Sequence, residues 1–75
     1  MVKITGGYIT LGQLLKKIDL ISSGSEAKYF LASNKVKVNN ELEMRRGRKL
    51  YQNDLVEINS EKIVIENEDW KNIVN

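Results

Sequence analysis

The residues best suited to chemistry in this sequence are four cations in a five-residue segment, Arg45-Arg46-Gly47-Arg48-Lys49 (the basic cluster, residues 45–49). All three arginines of the chain lie there. Like charges this close repel one another, so folding alone gives little reason for the cluster, whereas a polyanion would neutralise it. Arginine also matches phosphate oxygens with a planar fork of donors. We predict that the basic cluster contacts nucleic acid; a merely solvated basic turn is the alternative.

A second candidate surface is the segment from Ser23 to Lys28. It reads as the start of a helix, where free backbone N–H groups and the positive end of the dipole suit a phosphate. Gly24 leaves that approach open, Ser25 can donate a hydrogen bond, and Lys28 lies one turn further along the same face. The alternative is that Ser23 and Glu26 form a capping box and do nothing else.

Most enzymatic chemistry is excluded by composition. The chain has no Cys and no His, so a disulfide, a zinc finger, a thiol nucleophile and a Ser-His-Asp triad cannot form. Neither a Walker A pattern nor a Gly-rich nucleotide-binding loop occurs. No carboxylate pair is placed for acid–base work. We therefore predict no catalytic residue, no metal site and no cofactor.

The charge of the chain is divided unevenly. Residues 1–51 carry ten Lys and Arg against four Asp and Glu, a net of +6, and residues 52–75 carry two against six, a net of −4, so the whole is +2. An anionic partner is therefore expected on the first part. The first residues form no apolar signal segment and no run approaches a membrane span. These features predict a soluble, cytoplasmic protein.

The elements that position these side chains are two short helices followed by strands. The chain of 75 residues is short enough for one domain only. Thr10 and Gln13 have capping-box spacing, and apolar residues at helical spacing predict a first helix from residue 10 to about residue 20, with Lys16 on its outer face. A second helix is predicted over roughly residues 24–33, with Asn34 as a left-handed stop.

From residue 35 onwards the apolar period changes to two. Lys35 and Lys37 alternate with valines, which predicts a strand, and Asn39-Asn40 predicts a tight hairpin turn because Asn tolerates positive φ. Further strands are predicted at residues 2–5, 55–58 and 62–66, so the fold class is α+β with a small, mostly antiparallel sheet. Trp70 begins a short apolar pattern that predicts a closing helix or turn.

The order of these motifs resembles the S4 RNA-binding domain. The resemblance rests on S-x-S-E-A-K (residues 23–28), K-V-x-V-N (35–39), R-G-R-K-L (46–50) and N-D-L-V-E-I (53–58), and covers about residues 8–58. Small stand-alone bacterial proteins built from this domain are the most similar group. The resemblance implies the αL fold, with two helices packed on a small sheet.

The resemblance also implies which residues contact RNA. The implied RNA-binding positions are Lys16, Ser23, Gly24, Ser25, Lys28, Lys35, Asn39, Arg45, Arg46, Arg48 and Lys49. The second-helix start and the basic cluster would form two walls of one site, with Lys35 between them. Many family members have Arg at the position of Gly24 and open the first helix with Arg-Leu-Asp where this chain has Thr10-Leu11-Gly12. The first helix is therefore expected to contribute less here.

Three functions compete at this point. The first is non-catalytic binding of structured RNA, ribosomal RNA or tRNA, in association with the ribosome. The second is a protein–protein adaptor that uses the acidic part of the chain, residues 54–69 with Trp70. The third, duplex DNA binding, is weaker because no long helix carries basic residues along one face. A monomer is the favoured oligomeric state.

Overall fold

A computed structural model describes residues 1–68 of the chain. Two helices are packed on a five-stranded sheet, and a separate two-stranded sheet lies beside the first helix. In chain order the elements are β1 (Val2–Ile4), β2 (Ile9–Thr10), α1 (Leu11–Lys17), a 3₁₀ turn (Gly24–Glu26), α2 (Ala27–Ser33), β3 (Val36–Val38), β4 (Glu41–Leu42), β5 (Lys49–Leu50), β6 (Leu55–Ile58) and β7 (Glu61–Asn67).

The larger sheet has the strand order β1-β7-β6-β3-β4, and the smaller pairs β2 with β5. All pairs are antiparallel except β1 with β7, which is parallel. The predicted α+β class with a mostly antiparallel sheet is thus confirmed. Both helices and both sheets contribute to one apolar core, consisting of Ile4, Leu11, Leu14, Leu15, Ile21, Ala27, Leu31, Val36, Val38, Leu50, Val56, Ile58 and Ile65.

Helix α1 begins with the predicted capping box. Thr10 Oγ1 accepts from the Gln13 N–H at 3.2 Å, and Gln13 Oε1 accepts from the Thr10 N–H at 2.9 Å. The helix ends at Lys17 rather than near residue 20, because Asp19 adopts a φ of 63°. The Leu20 N–H then reaches the Leu15 carbonyl at 3.0 Å, which is the hydrogen bond of a Schellman motif.

Helix α2 differs from the prediction at both ends. The predicted capping box of Ser23 and Glu26 is not formed, because the Ser23 side chain makes no capping hydrogen bond. The chain enters α2 through the 3₁₀ turn. Asn34 ends the helix, but in an extended conformation with φ −130° instead of the predicted left-handed one. Its amide donates to the Phe30 carbonyl at 2.9 Å and accepts from Asn59 Nδ2 at 2.7 Å. Tertiary hydrogen bonding therefore fixes this helix end.

The hairpin turns follow the asparagines. Asn39 and Asn40 have φ values of 51° and 71°, as predicted, and connect β3 to β4 with only these two residues in the turn. Asn53 and Asn59 also have positive φ. The predicted closing helix at Trp70 lies outside the described residues. Neither helix in residues 1–68 has the length and apolar character that crossing a membrane requires.

The side chain of Asn39 also makes two hydrogen bonds, and their loss is the subject of the first prediction. Its Oδ1 accepts from the Leu55 N–H at 2.9 Å and its Nδ2 donates to Asp54 Oδ1 at 3.1 Å. Asn39→Ala loses both hydrogen bonds and the tolerance of positive φ, so we expect a loss of about 1–3 kcal/mol in the free energy of unfolding. Urea denaturation followed by circular dichroism measures it.

The matched control is Asn40→Ala. Asn40 has the same left-handed backbone, but no side-chain hydrogen bond is found for it among residues 1–68. The difference between the two variants isolates the contribution of the Asn39 side chain. Equal destabilisation by both would show that backbone conformation alone accounts for Asn39.

Candidate nucleic-acid interface

The basic cluster is held by one buried carboxylate, Glu43, whose side chain is only 7% exposed. Glu43 Oε1 accepts from Arg45 Nη2 at 3.0 Å and from Arg48 Nη1 at 2.8 Å. Glu43 Oε2 accepts from the backbone N–H and from Nε of Arg45, both at 3.0 Å. The premise that folding gives little reason for the cluster is therefore wrong, because two of its arginines form an internal ion-pair network.

These contacts change the acidity of Glu43. The side-chain hydrogen bonds from Arg45 lower the pKa of Glu43 from its ordinary 4.5 to about 2, with further lowering by the Arg45 backbone N–H and by Arg48; burial of the carboxyl acts in the opposite direction. Glu43 thus stays ionised at neutral pH. The group of Glu43, Arg45 and Arg48 carries a net charge of +1, less than the arginines alone would give.

The backbone of the same loop completes the start of α1. The Leu11 N–H donates to the Arg48 carbonyl and the Gly12 N–H donates to the Arg46 carbonyl, both at 2.8 Å. A Cβ at Gly12 would lie 3.3 Å from that Arg46 oxygen, so the absence of a side chain permits the close approach. The first N–H groups of α1 are therefore used inside the fold.

Arg46 joins the basic cluster to the second-helix start. Its Nη1 donates to the Gly24 carbonyl at 3.3 Å. Ser23 Oγ and Ser25 Oγ lie 3.0 Å apart, and Ser23 Oγ is 3.5 Å from Glu26 Oε1. The two walls expected from the sequence are thus in contact through Arg46.

A groove of about 380 Å³ lies at this junction, and we call it the Tyr29 groove. Two of its lining residues are cations, Lys28 and Arg46, and Ser25 adds a hydroxyl. The side chains of Tyr29 and Met44 complete it, and both are largely exposed. A surface of this composition can hold a phosphate by charge and present an apolar face to the adjoining sugar or base.

The other candidate residues lie apart from the Tyr29 groove. Lys35 lines a different groove with Lys37 and Glu57, so it does not stand between the two walls as predicted. Asn39 uses its side chain within the fold. Lys16 lines a third groove together with Tyr8, and Lys49 places its Nζ 5.0 Å from the centre of the Tyr8 ring. The expected single site is therefore divided among several surfaces.

Sequence reasoning missed Glu43, Tyr29 and Met44. A signal existed for Tyr29, a large aromatic residue that falls outside the apolar stripe of α2. Glu43 also had a signal, since it is the acid immediately preceding the basic cluster. Within residues 1–68, no group of three or more His, Cys, Asp or Glu side chains is arranged to hold a metal ion.

Two comparisons agree with this architecture. The S4 domain family model matches residues 2–66, and the chain belongs to the S4 domain family. It is also 54% identical, over 57 residues, to the probable ribosome maturation protein RlbA of Bacillus subtilis (strain 168), a match covering 76% of this chain and 80% of that protein. No solved structure matches the chain significantly.

The ion-pair network at Glu43 gives a second prediction. A carboxyl whose pKa is lowered on folding stabilises the folded state above its unfolded pKa, and this contribution is lost as pH falls through the folded value. Glu43→Gln should therefore reduce the free energy of unfolding at pH 7 by about 1.5–3 kcal/mol, the usual range for hydrogen bonds to a charged group. The deficit relative to the unmodified protein should shrink between pH 4.5 and pH 2.

Urea denaturation at pH 7, 4 and 2.5 measures this effect. Glu41→Gln is the matched control, because Glu41 lies on the same hairpin and is exposed. Its stability should equal that of the unmodified protein at each pH. A Glu43→Gln deficit that stays constant down to pH 2.5 would contradict the assignment of the effect to ionised Glu43.

Proposed function

We propose that this protein binds structured RNA through backbone phosphates and acts by binding, with no catalysis of its own. Membership of the S4 domain family supports RNA as the ligand. The name of the Bacillus subtilis relative, which refers to ribosome maturation, supports ribosomal RNA on the ribosome or a precursor particle; tRNA is the other structured RNA to test. The contact of Arg46 with Gly24 is the observation that carries the proposal, because it unites both basic segments around the Tyr29 groove.

The cations at the Tyr29 groove remain available to a ligand. Arg46 has five N–H donors. One of them, on Nη1, donates to the Gly24 carbonyl. Lys28 is exposed and lines the same groove. Arg45, although paired with Glu43, leaves 75% of its side chain exposed. Lys28 and Arg46 thus offer a phosphate-binding surface at the groove, and Arg45 adds an exposed cation on the same loop as Arg46.

The arrangement favours recognition of backbone shape over base sequence. Phosphate contacts fix the position and orientation of a nucleic acid but carry no sequence information. The loop that presents Arg45 and Arg46 is held by Glu43 and by two hydrogen bonds from α1, so its geometry is fixed before the ligand arrives. A preorganised cationic surface suits an RNA whose phosphates are themselves fixed by folding.

The third prediction is that the double variant Lys28→Ala/Arg46→Ala weakens binding to all structured RNAs alike. Each lost phosphate contact should reduce the slope of log K against log salt by about 0.7–0.9, so removing two contacts should flatten it by roughly 1.5. Fluorescence anisotropy with a ribosomal RNA fragment and with tRNA, over a series of salt concentrations, measures the slope. Arg46→Lys keeps the charge but loses the planar fork, and we expect intermediate affinity.

The control removes two cations elsewhere. Lys3→Ala/Lys62→Ala makes the same change in net charge on exposed positions of β1 and β7, and should leave the salt slope nearly unchanged. Circular dichroism checks that all variants fold. If five phosphates are contacted, the unmodified protein should show a slope of roughly −3.5 to −4.5. A flat salt dependence, or tighter binding to a DNA duplex than to either RNA, would overturn the proposal.

Association with the ribosome is tested separately in cell extract. The protein should sediment with ribosomal subunits or their precursors in a sucrose gradient, and RNase treatment should release it. Sedimentation free of ribosomal particles would contradict the ribosomal role while leaving RNA binding intact. A protein partner retained after RNase treatment would instead support the adaptor function.

A further inference from the structure

A second surface with aromatic and cationic groups lies on the small sheet. Tyr8 directly precedes β2 and Tyr51 directly follows β5, and the register of these strands sets the two tyrosines opposite each other. Their ring centres are 6.0 Å apart at an interplanar angle of 51°. Lys49 Nζ lies 5.0 Å from the centre of the Tyr8 ring. These three side chains form what we call the Tyr8 platform.

The platform is only partly buried. Tyr8 is 44% exposed and Tyr51 is 50% exposed. The buried apolar core contains neither ring. Gly6 and Gly7, with φ values of 81° and 94°, turn the chain between β1 and β2 and so bring Tyr8 to the surface. Half-exposed aromatic rings with a lysine over one of them are suited to stacking a flat, anionic ligand.

A groove of about 590 Å³ adjoins the platform at Tyr8, and we call it the Tyr8 groove. Lys16 and Lys17, from the last turn of α1, lie along it, and Gln13 adds an amide. None of its lining residues in the described chain is acidic. With Lys49 on the platform, three lysines therefore lie at Tyr8 or along the groove that it lines. Charge complementarity selects an anion, and the aromatic faces select one that carries a planar group.

We propose that the Tyr8 platform and the Tyr8 groove bind an unpaired nucleotide of the RNA. The base stacks on the exposed face of the tyrosine pair, and its phosphates lie among Lys16, Lys17 and Lys49. A paired base could not offer its face to Tyr8, because duplex stacking covers it. The inference rests on the proposed function and extends it: the Tyr29 groove holds backbone phosphates, and the Tyr8 platform holds a single-stranded base of the same RNA.

The two surfaces are joined through the start of α1. Arg46, which lines the Tyr29 groove, accepts a hydrogen bond at its carbonyl from the Gly12 N–H, and the next residue, Gln13, lines the Tyr8 groove. A single RNA that passes from a folded region into an unpaired one could therefore contact both surfaces.

The fourth prediction compares two ligands of equal charge. The probes are tetra-adenylate and an abasic ribose-phosphate tetramer of the same length. We expect the unmodified protein to bind tetra-adenylate about tenfold more tightly, as one stacked base provides. Tyr8→Leu keeps an apolar side chain without a π face and should bring this ratio close to one, whereas Tyr8→Phe should preserve it. Fluorescence anisotropy gives the affinities, and NMR shift changes should centre on Tyr8, Lys49 and Tyr51.

Two further variants separate this inference from the proposed function. Lys16→Ala/Lys17→Ala should weaken both tetramers by the same factor, because it removes charge and leaves the platform intact. Lys28→Ala/Arg46→Ala should weaken structured RNA but leave the tetra-adenylate ratio unchanged. Loss of the ratio in that variant would place base stacking at the Tyr29 groove and overturn the inference, with RNA binding itself still standing.

Other outcomes also overturn it. Equal affinity of the unmodified protein for the two tetramers would show a site that reads phosphates only. A Tyr8→Leu variant that folds normally and keeps the ratio would exclude Tyr8 as the stacking residue. Displacement of tetra-adenylate by polyglutamate at equal charge concentration would identify a general polyanion surface.

Discussion

The geometry of the candidate interface depends on the Glu43 carboxylate. Its two oxygens receive hydrogen bonds from the side chains of Arg45 and Arg48 and from the backbone of Arg45, and it is almost completely buried. A buried carboxylate without such partners would be strongly destabilising. The arginines therefore serve the fold and the surface together, since the cations that satisfy Glu43 also remain partly exposed to a ligand.

The Glu43 network also determines where the backbone of the loop lies. With Arg45 and Arg48 fixed, the intervening turn carries the carbonyls of Arg46 and Arg48 to the N–H groups of Gly12 and Leu11. Helix α1 is short, and its first turn would be incompletely hydrogen-bonded without this loop. The basic cluster is thus a structural cap for one helix and, through Arg46, a contact with the start of the other.

Local patterns in the sequence predicted much of the fold. The capping box of Thr10 and Gln13, the alternation around Lys37 and the asparagine turn at Asn39 each depend on residues a few positions apart, and each is found. Two failures are local: α1 ends early because Asp19 has a positive φ, and the Ser23 side chain makes no capping hydrogen bond. The failure at Asn34 involves a distant partner. Asn34 is extended because Asn59 bonds to it from a later turn. Tertiary hydrogen bonding of this kind leaves no periodic trace in a sequence.

The candidate site was predicted less completely than the fold, for a related reason. Charge type indicated Lys28, Lys35 and Arg46 alike, but only the path of the chain decides which of them share a groove. The burial of Glu43 beside exposed Leu42 also reverses the order that hydrophobicity favours. Ion-pair geometry, which depends on the loop conformation, overrides hydrophobicity at that point.

The parallel pairing of β1 with β7 has a consequence for assembly of the domain. It joins Val2 to Ile65, more than sixty residues away, whereas the β6–β7 hairpin closes across a two-residue turn. Closing the longer loop costs more chain entropy, so β1 gains stability only after β7 is in place. The β2–β5 pair that carries the Tyr8 platform joins Ile9 to Leu50, which are also far apart in the chain, so the platform needs a longer loop closure than the β6–β7 hairpin. Hydrogen exchange that is faster in β1 than in the β6–β7 hairpin is the corresponding signature.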